Sequence, residues 1–434
     1  MADRTPDVVL IMPDDQRPDT LHHMRAVQEH IRDRGTRFSR TVAATPTCCP
    51  SRASLLTGLH SRRTGVYGNT PPDGGWRTFF DNGHEDRTLA TALQARGYRT
   101  GLVGKYLNGF AQNELGGKGG RRPPGWDVFL TFVKRTGAYF DYTLTDGTHF
   151  GTDAADYSTD VLGERAARFI RRTPSGQPLF LVFTPFAPHK PYRPAPRHLH
   201  DFAGKLPTYR PPSVTENVAD KPPFLRDRPR VKQRAIDFVR TRQQEQLASV
   251  DDAVARVVDA LRESGRLHNT LLVYMSDNGL MVGDHHMIGK ALPYRFATDV
   301  PLVVRWDGRV GAGQTDRRLA ATVDVTATIA EATGAAMTTD GVSLLGEERR
   351  SDVVLEGRQW RRLDGSVPHP AYCGLRSDRY LFVRYADGFE ELYDYQDDPY
   401  ERRNRATDPD YGDRLRAMRL RSLQESVPAP PGFS

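Results

Sequence analysis

Short apolar runs recur along the chain. Residues 8–12 (Val-Val-Leu-Ile-Met) form an unbroken apolar block, and further strand-like segments, mostly apolar, stand at 99–103, 179–183, 271–275 and 301–304. Short blocks of this kind predict strands buried on both faces. Between them, helical periodicity covers 88–96, 158–171, 234–264 and 322–333. In the third of these segments Leu247, Val250, Val254, Val257 and Leu261 keep to one face, and Gly265 supplies a stop signal. Strands alternating with helices predict an α/β fold, with a large, mainly parallel sheet flanked by helices.

Two stretches break the rhythm. Residues 109–127 are rich in glycine, and 185–230 are rich in proline and arginine. Loops of that length in a compact domain are usually functional or disordered. After about residue 350 the pattern changes to short strands at 353–355, 380–384 and 391–394, followed by a helix near 413–425. The expected organisation is a catalytic domain over 1–350 and a smaller C-terminal subdomain of antiparallel strands and a helix over 351–434.

Composition narrows the classes. Hydrophobic residues make up 38% of the 434, enough for a sizeable core. No apolar run approaches the length of a membrane span. The first residues run from Met1 to Asp7 without a basic segment or a long apolar one, which predicts a cytoplasmic protein, or a secreted or periplasmic one if a leader has been removed. The net charge of +7 can attract nucleic acid, membrane or a small anionic substrate, or reflect only a solvated, Arg-rich surface. No Lys/Arg block marks a nucleic-acid arm, so neither nucleic acid nor membrane is an expected partner. Three cysteines, Cys48, Cys49 and Cys373, make no disulfide framework and lack the spacing of a zinc site.

Three groups of residues carry candidate chemistry. Asp14-Asp15 follows the 8–12 strand directly, where ligand sites form beyond the carboxyl ends of parallel strands. Adjacent carboxylates repel unless a cation lies between them, although a capped turn would also use Asp there. Ser276-Asp277-Asn278-Gly279 follows the 271–275 strand and offers hard oxygen ligands of the kind Ca²⁺ or Mg²⁺ takes, or an ordinary turn. The two pairs together place four oxygen-bearing side chains at two strand ends. The third group is Cys48-Cys49-Pro50-Ser51-Arg52, in which Pro50 suits the first turn of a helix. Cys48 then sits at the amino end, where the dipole favours negative charge, and Arg52 can point back toward it. A buried cysteine pair beside a helix start is the plainer alternative.

Cys48-x-Pro50-Ser51-Arg52, continued by Ala53-Ser54-Leu55-Leu56-Thr57-Gly58, resembles the signature of the formylglycine-dependent sulfatases. Gly104-Lys105, Pro188-His189, Ser276-Asp277-Asn278-Gly279, Gly289-Lys290, Tyr294 and Glu391-Leu392-Tyr393-Asp394 fall in that family's order, so the likeness spans about 6–405. Gly104-Lys105-Tyr106-Leu107-Asn108, Tyr157-Ser158-Thr159-Asp160 and Ser249-Val250-Asp251-Asp252 look closest to the N-acetylglucosamine-6-sulfatase branch.

The resemblance implies an alkaline-phosphatase-like fold and hydrolysis of a sulfate ester, carbohydrate or aryl. It implies one divalent cation, Ca²⁺ or Mg²⁺, held by Asp14, Asp15, Asp277, Asn278 and residue 48, and it implies that Cys48 is converted to formylglycine (3-oxoalanine) by a maturation enzyme. Asp277 would take a proton from the aldehyde hydrate, while Arg52 and Lys105 orient it. Lys290 and His189 would face the sulfate, with Lys105 and Asn108 also touching substrate. Where many members carry a histidine two residues after the lysine, this chain has Leu107. The base for the release step then falls first to His189, with His60, His285 and His286 behind it. Arg295 stands where Glu is common in the family. Arg193, Arg197 and Arg210 form either an anion-binding rim or a solvated loop surface. Two other functions compete: a phosphonate monoester or phosphodiester hydrolase on the same scaffold, and a silent sulfoglycan-binding protein whose Cys48 stays a thiol.

Overall fold

A computed structural model describes residues 5–110, 121–133, 137–360 and 368–433. Most of the glycine-rich stretch of the sequence reading therefore lies outside the described residues. A nine-stranded sheet forms the body. Its order runs Asp299–Val300, Thr36–Val42, Leu302–Arg305, Thr270–Met275, Asp7–Ile11, Leu179–Thr184, Arg99–Gly104, Val128–Leu130, with Gln314–Ala321 also pairing to Thr36–Val42. The four central strands from Thr270–Met275 to Arg99–Gly104 are mutually parallel. Leu302–Arg305 runs against Thr270–Met275 and Thr36–Val42. Pro301, which has no N–H to donate, separates it from Asp299–Val300.

Both faces of the sheet are covered, as the unbroken apolar blocks require. Val9, Ile11, Leu181 and Leu272 pack beneath the helices Ser158–Arg171 and Gln233–Glu263. Val8, Leu10, Val182 and Val273 pack on the other face with Ala53, Leu55, Leu93 and Ile329 from the helices Cys48–Thr57, Leu89–Ala95 and Thr322–Thr333. The proline- and arginine-rich stretch holds only short helical turns, such as Pro212–Thr215 and Pro223–Arg226.

The C-terminal part is a four-stranded antiparallel sheet in sequence order: Asp352–Gly357, Tyr372–Ser377, Tyr380–Tyr385, Glu390–Asp394. Alternation divides its side chains. Val354, Leu375 and Phe382 meet Leu415 and Met418 of the helix Gly412–Glu425. Val353, Leu355, Leu381 and Val383 meet Tyr294, Leu319 and Val323 of the main body. Among the described residues no helix is long and apolar enough to cross a membrane.

Candidate active site

Four adjacent parallel strands end at the same edge, and each delivers a polar side chain there. Asp7–Ile11 leads to Asp14 and Asp15, Thr270–Met275 to Asp277 and Asn278, Arg99–Gly104 to Lys105, and Leu179–Thr184 to His189. The ladder continues past the strands through Met12 N–H to Phe183 O (2.8 Å), Asp14 N–H to Ala187 O (3.2 Å) and Lys105 N–H to Thr184 O (2.8 Å). Gly104, at φ +122°, lets the chain turn against Thr184; a Cβ there would lie 2.1 Å from the Thr184 carbonyl oxygen. The edge is therefore a set of precisely fixed backbone positions rather than a mobile loop surface.

The helix Cys48–Thr57 is buried along its whole length and ends at Gly58, whose left-handed N–H caps the Ser54 carbonyl at 2.7 Å. Its amino end, with Cys48 as first residue and Pro50 as third, faces the same edge. The Cys48 thiol lies 3.3 Å from Asp14 Oδ1 and 2.7 Å from Lys290 Nζ.

The two acidic pairs lie together. Asp15 N–H donates to Asp277 Oδ1 (3.2 Å), and Asn278 Nδ2 donates to Asp15 Oδ1 (2.7 Å). Asp15 itself takes a left-handed φ of 67°, a strained conformation that persists when its surroundings hold it. Around these acids stand three cations, Lys105 and Arg52 buried and Lys290 half-buried. Lys105 Nζ bonds Asp14 Oδ2, Lys290 Nζ bonds Asp15 Oδ1, and Arg52 Nε donates to Asp277 Oδ2 at 2.8 Å. Burial alone would neutralise Asp14, but Lys105, His189, Lys290 and Arg52 outweigh it and hold the carboxyl well below its ordinary value of 3.8. Burial likewise opposes the Lys290 ammonium, yet Asp15, Cys48 and Asp14 hold its proton well above the usual lysine value. Burial, reinforced by Asp14, pushes the Cys48 thiol up to about 11. An unmodified thiol here is thus protonated at neutral pH and a poor nucleophile.

Among the described residues, single ligand atoms of Asp14, Asp15, Cys48 and His189 all lie within 4.8 Å of one another. Lys290 Nζ is a stand-in cation in this cluster, touching Asp15 Oδ1 and lying 3.3 Å from Asn278 Oδ1 and 3.8 Å from Asp14 Oδ1. Hard oxygens converging on one positive charge fit a divalent metal ion. Asp277 is engaged differently: one oxygen accepts the N–H groups of Asp15 and Asn278, the other accepts Arg52. Arg52 bonds Asp277 and the Lys105 carbonyl (2.8 Å) and stays close enough to residue 48 for the two side chains to interact electrostatically.

His189 sits at the rim with Nε2 3.8 Å from Asp15 Oδ2, while Nδ1 meets the Lys190 carbonyl. A carbonyl only accepts, so the ring proton sits on Nδ1 and Nε2 presents its lone pair. Burial lowers the imidazole pKa despite Asp15 and Asp14. The other three candidate histidines have different surroundings. His285 is clamped by Glu216 (2.5 Å) and Glu401 (3.4 Å), which outweigh burial and raise it to about 9. His286 bonds the carbonyls of Arg228 and Glu216, and burial drives His60 down to about 3. Leu107 packs in the core, and half-buried Asn108 accepts the Trp76 N–H on its carbonyl at 2.7 Å. The loop arginines are tied locally: Arg197 to Asp160 and Asp252, Arg210 to Gln233, and Arg193 over the Phe140 ring.

Sequence reasoning missed Gln243, whose Nε2 donates to the Asp15 carbonyl at 3.3 Å from inside the long helix. A signal was present, since Gln243, Gln244, Glu245 and Gln246 are four consecutive buried polar residues in an otherwise amphipathic helix. Ser51, named in the signature but given no role there, donates its hydroxyl to the Asp277 carbonyl at 2.5 Å and ties the helix to the neighbouring strand end.

The model of the sulfatase family matches residues 6–335, and that of the N-sulphoglucosamine sulphohydrolase C-terminal region matches 283–426. The chain is 31% identical to human N-acetylglucosamine-6-sulfatase over 81% of its own length and 67% of that protein's. It is 32% identical to the extracellular sulfatase SULF-1 homologue of Drosophila melanogaster over 76% of its length, and spans only 30% of that relative. It spans 47% of the Caenorhabditis elegans Sulf-1 homologue. Among solved structures, a protein in complex with its substrate D-glucosamine-2-N,6-O-disulfate superposes with a TM-score of 0.81 at 21% identity over 98% of each chain. The phosphonate monoester hydrolase of Agrobacterium radiobacter gives 0.76 at 20% identity, covering 96% of this chain and 95% of that one. With the sulfatase model matched across most of its length, the chain belongs to the sulfatase family.

Proposed function

We propose that this chain hydrolyses sulfate monoesters of a sugar, with the reaction centred on residue 48. The observation that carries the reading is the placement of Cys48 at the amino end of a buried helix, within hydrogen-bonding reach of Asp14 and Lys290. The curated relatives named for action on N-acetylglucosamine sulfate, at 31% identity, support a sugar ester as substrate. A divalent cation, Ca²⁺ or Mg²⁺, and an aldehyde hydrate derived from Cys48 would together supply charge neutralisation at sulfate oxygens and an oxygen nucleophile. Asp14, Asp15, Asp277 and Asn278 would hold that cation.

The residues of the chain divide the remaining work by charge. The Lys290 ammonium and a divalent cation repel each other and compete for the same oxygens. With such a cation in place, Lys290 would give up Asp15 and face the substrate's sulfate, where its ammonium could protonate the leaving alcohol. Lys105 and Arg52 stay as fixed positive charge beneath residue 48. Asp277, whose carboxyl is raised by burial and by the Asp14 charge, is suited to accept a proton from the attacking hydroxyl. His189 presents an unprotonated Nε2 at the rim and is the base for the release step, a role Leu107 cannot fill. Replacing His189 with Gln should lower kcat by roughly 10²-fold with little change in melting temperature, read by steady-state kinetics and calorimetry. An unchanged kcat would remove His189 from the reaction.

A panel of sulfated mono- and disaccharides, assayed beside an aryl phosphate diester with fully converted enzyme, tests the substrate class. A kcat/KM for the diester exceeding every sulfate ester by orders of magnitude would replace the sulfatase reading with a phosphodiesterase one. The division of the chain into two units near residue 350 belongs to the same proposal.

A further inference from the structure

The segment carrying Lys290 is held from two sides. On the side of the sheet, fully buried Asp284 accepts hydrogen bonds from Arg17 Nη1 (3.0 Å), the Tyr209 hydroxyl (3.0 Å), the Ser213 hydroxyl (2.7 Å) and the Val282 N–H (3.1 Å). On the other side, residues more than seventy positions later grip it. The Tyr372 hydroxyl donates to the Ala291 carbonyl at 3.3 Å. Glu391 accepts the Tyr294 hydroxyl at 2.9 and 3.1 Å, and Glu401 accepts the Arg295 N–H at 3.0 and 3.1 Å.

Between these anchors the backbone is under strain. His285, His286 and Ala291 all take left-handed φ values of 50°, 61° and 70°, which non-glycine residues hold only when their surroundings fix them. Ala291 is the immediate neighbour of Lys290, and its N–H also bonds the Pro46 carbonyl at 3.0 Å, two residues before Cys48. The lysine side chain is long and has many rotamers, so its aim depends on where this backbone stands. Tyr372, Glu391 and Glu401 are all fully buried and none is among the groups that surround residue 48 in the site described above.

We propose that Tyr372, Glu391 and Glu401 are positioning residues for Lys290. On this reading the C-terminal region acts on the reaction through the lysine segment without touching substrate itself. The inference rests on the functional reading above for the role of Lys290, and its test separates the two.

The test is a double-mutant cycle on metal-loaded, converted enzyme. Tyr294→Phe, which removes one hydroxyl, and Glu401→Gln are each made in the wild type and in a Lys290→Ala background. Two quantities are read: kcat/KM on an aryl sulfate, and the affinity for inorganic sulfate by calorimetry. With Lys290 present, each substitution should lower both by about tenfold; with Lys290→Ala, by less than about twofold, because residues acting through one group are not additive. Equal losses in both backgrounds, or a lowered melting temperature with kinetics and affinity intact, would reduce these contacts to structural cement and overturn the proposal. Should the wild type turn over no sulfate ester while the sulfate-binding cycle still shows the coupling, the positioning stands and the functional reading falls. A wild type that neither turns over nor binds sulfate overturns both.

Discussion

Alanine in place of Cys48 is expected to lower kcat/KM on any accepted sulfate ester by roughly 10⁴-fold or more, the scale seen when a reacting group is removed from its site. The fold should survive. The side chain is small, buried and protonated, and its loss leaves a cavity worth only about 1 kcal/mol. Serine at this position tests the chemistry more finely. It restores an oxygen of similar size beside Asp14 and Lys290 but has one hydroxyl only, so it can accept the sulfuryl group and then has no second hydroxyl with which to release it. A stoichiometric burst followed by arrest is the expected time course. Steady turnover by the serine variant would mean that water cleaves the ester, and that residue 48 needs no conversion.

The second large effect concerns Asp14. It is fully buried and faces Lys105, Arg52 and Lys290 at once. Asp14→Asn keeps the shape and removes the charge, leaving buried Lys105 and Arg52 and half-buried Lys290 with less compensation, at a cost of about 3–5 kcal/mol. Affinity for the divalent cation should fall with it, by 10²-fold or more on the scale of a lost direct ligand. The pH dependence carries a matching signature. Because the folded carboxyl is held below its ordinary 3.8, its stabilisation is complete above that value and is lost only as pH falls through the lower folded value. The variant should therefore lack this acid limb. Denaturant unfolding at pH 7 and at pH 3, with metal content measured alongside, decides the matter. A variant as stable as the parent and still binding one cation would show that Asp14 is not central to the cage.

How far the sequence foretold this arrangement depends on the range of the forces involved. The central parallel strands were legible because a strand buried on both faces must be apolar throughout, as Val8 to Ile11 and Leu179 to Phe183 are. The helices Ser158–Arg171 and Thr322–Thr333 were legible to the residue, since their periodicity ends where capping begins. Thr36–Val42 and Gln314–Ala321 were not, because three residues of each are exposed and their polar residues hide the strand pattern. The site divides in the same way. Asp14, Asp15, Asp277 and Asn278 were legible as neighbours because each follows a strand end by two to four residues. The bond from Arg52 to Asp277 was not legible, because that partner arrives from 225 positions away. Nothing near Tyr294 announces that its hydroxyl will meet Glu391. Such long-range pairing of buried polar groups leaves no local trace.

The central claim is that turnover requires a converted residue 48 beside one divalent cation. Preparations spanning a range of conversion, quantified by peptide mass spectrometry, should give a kcat that rises in proportion to the converted fraction and extrapolates to zero at none, with one cation bound per active chain. Full activity in protein whose Cys48 is wholly unconverted, or activity indifferent to metal removal, would contradict it.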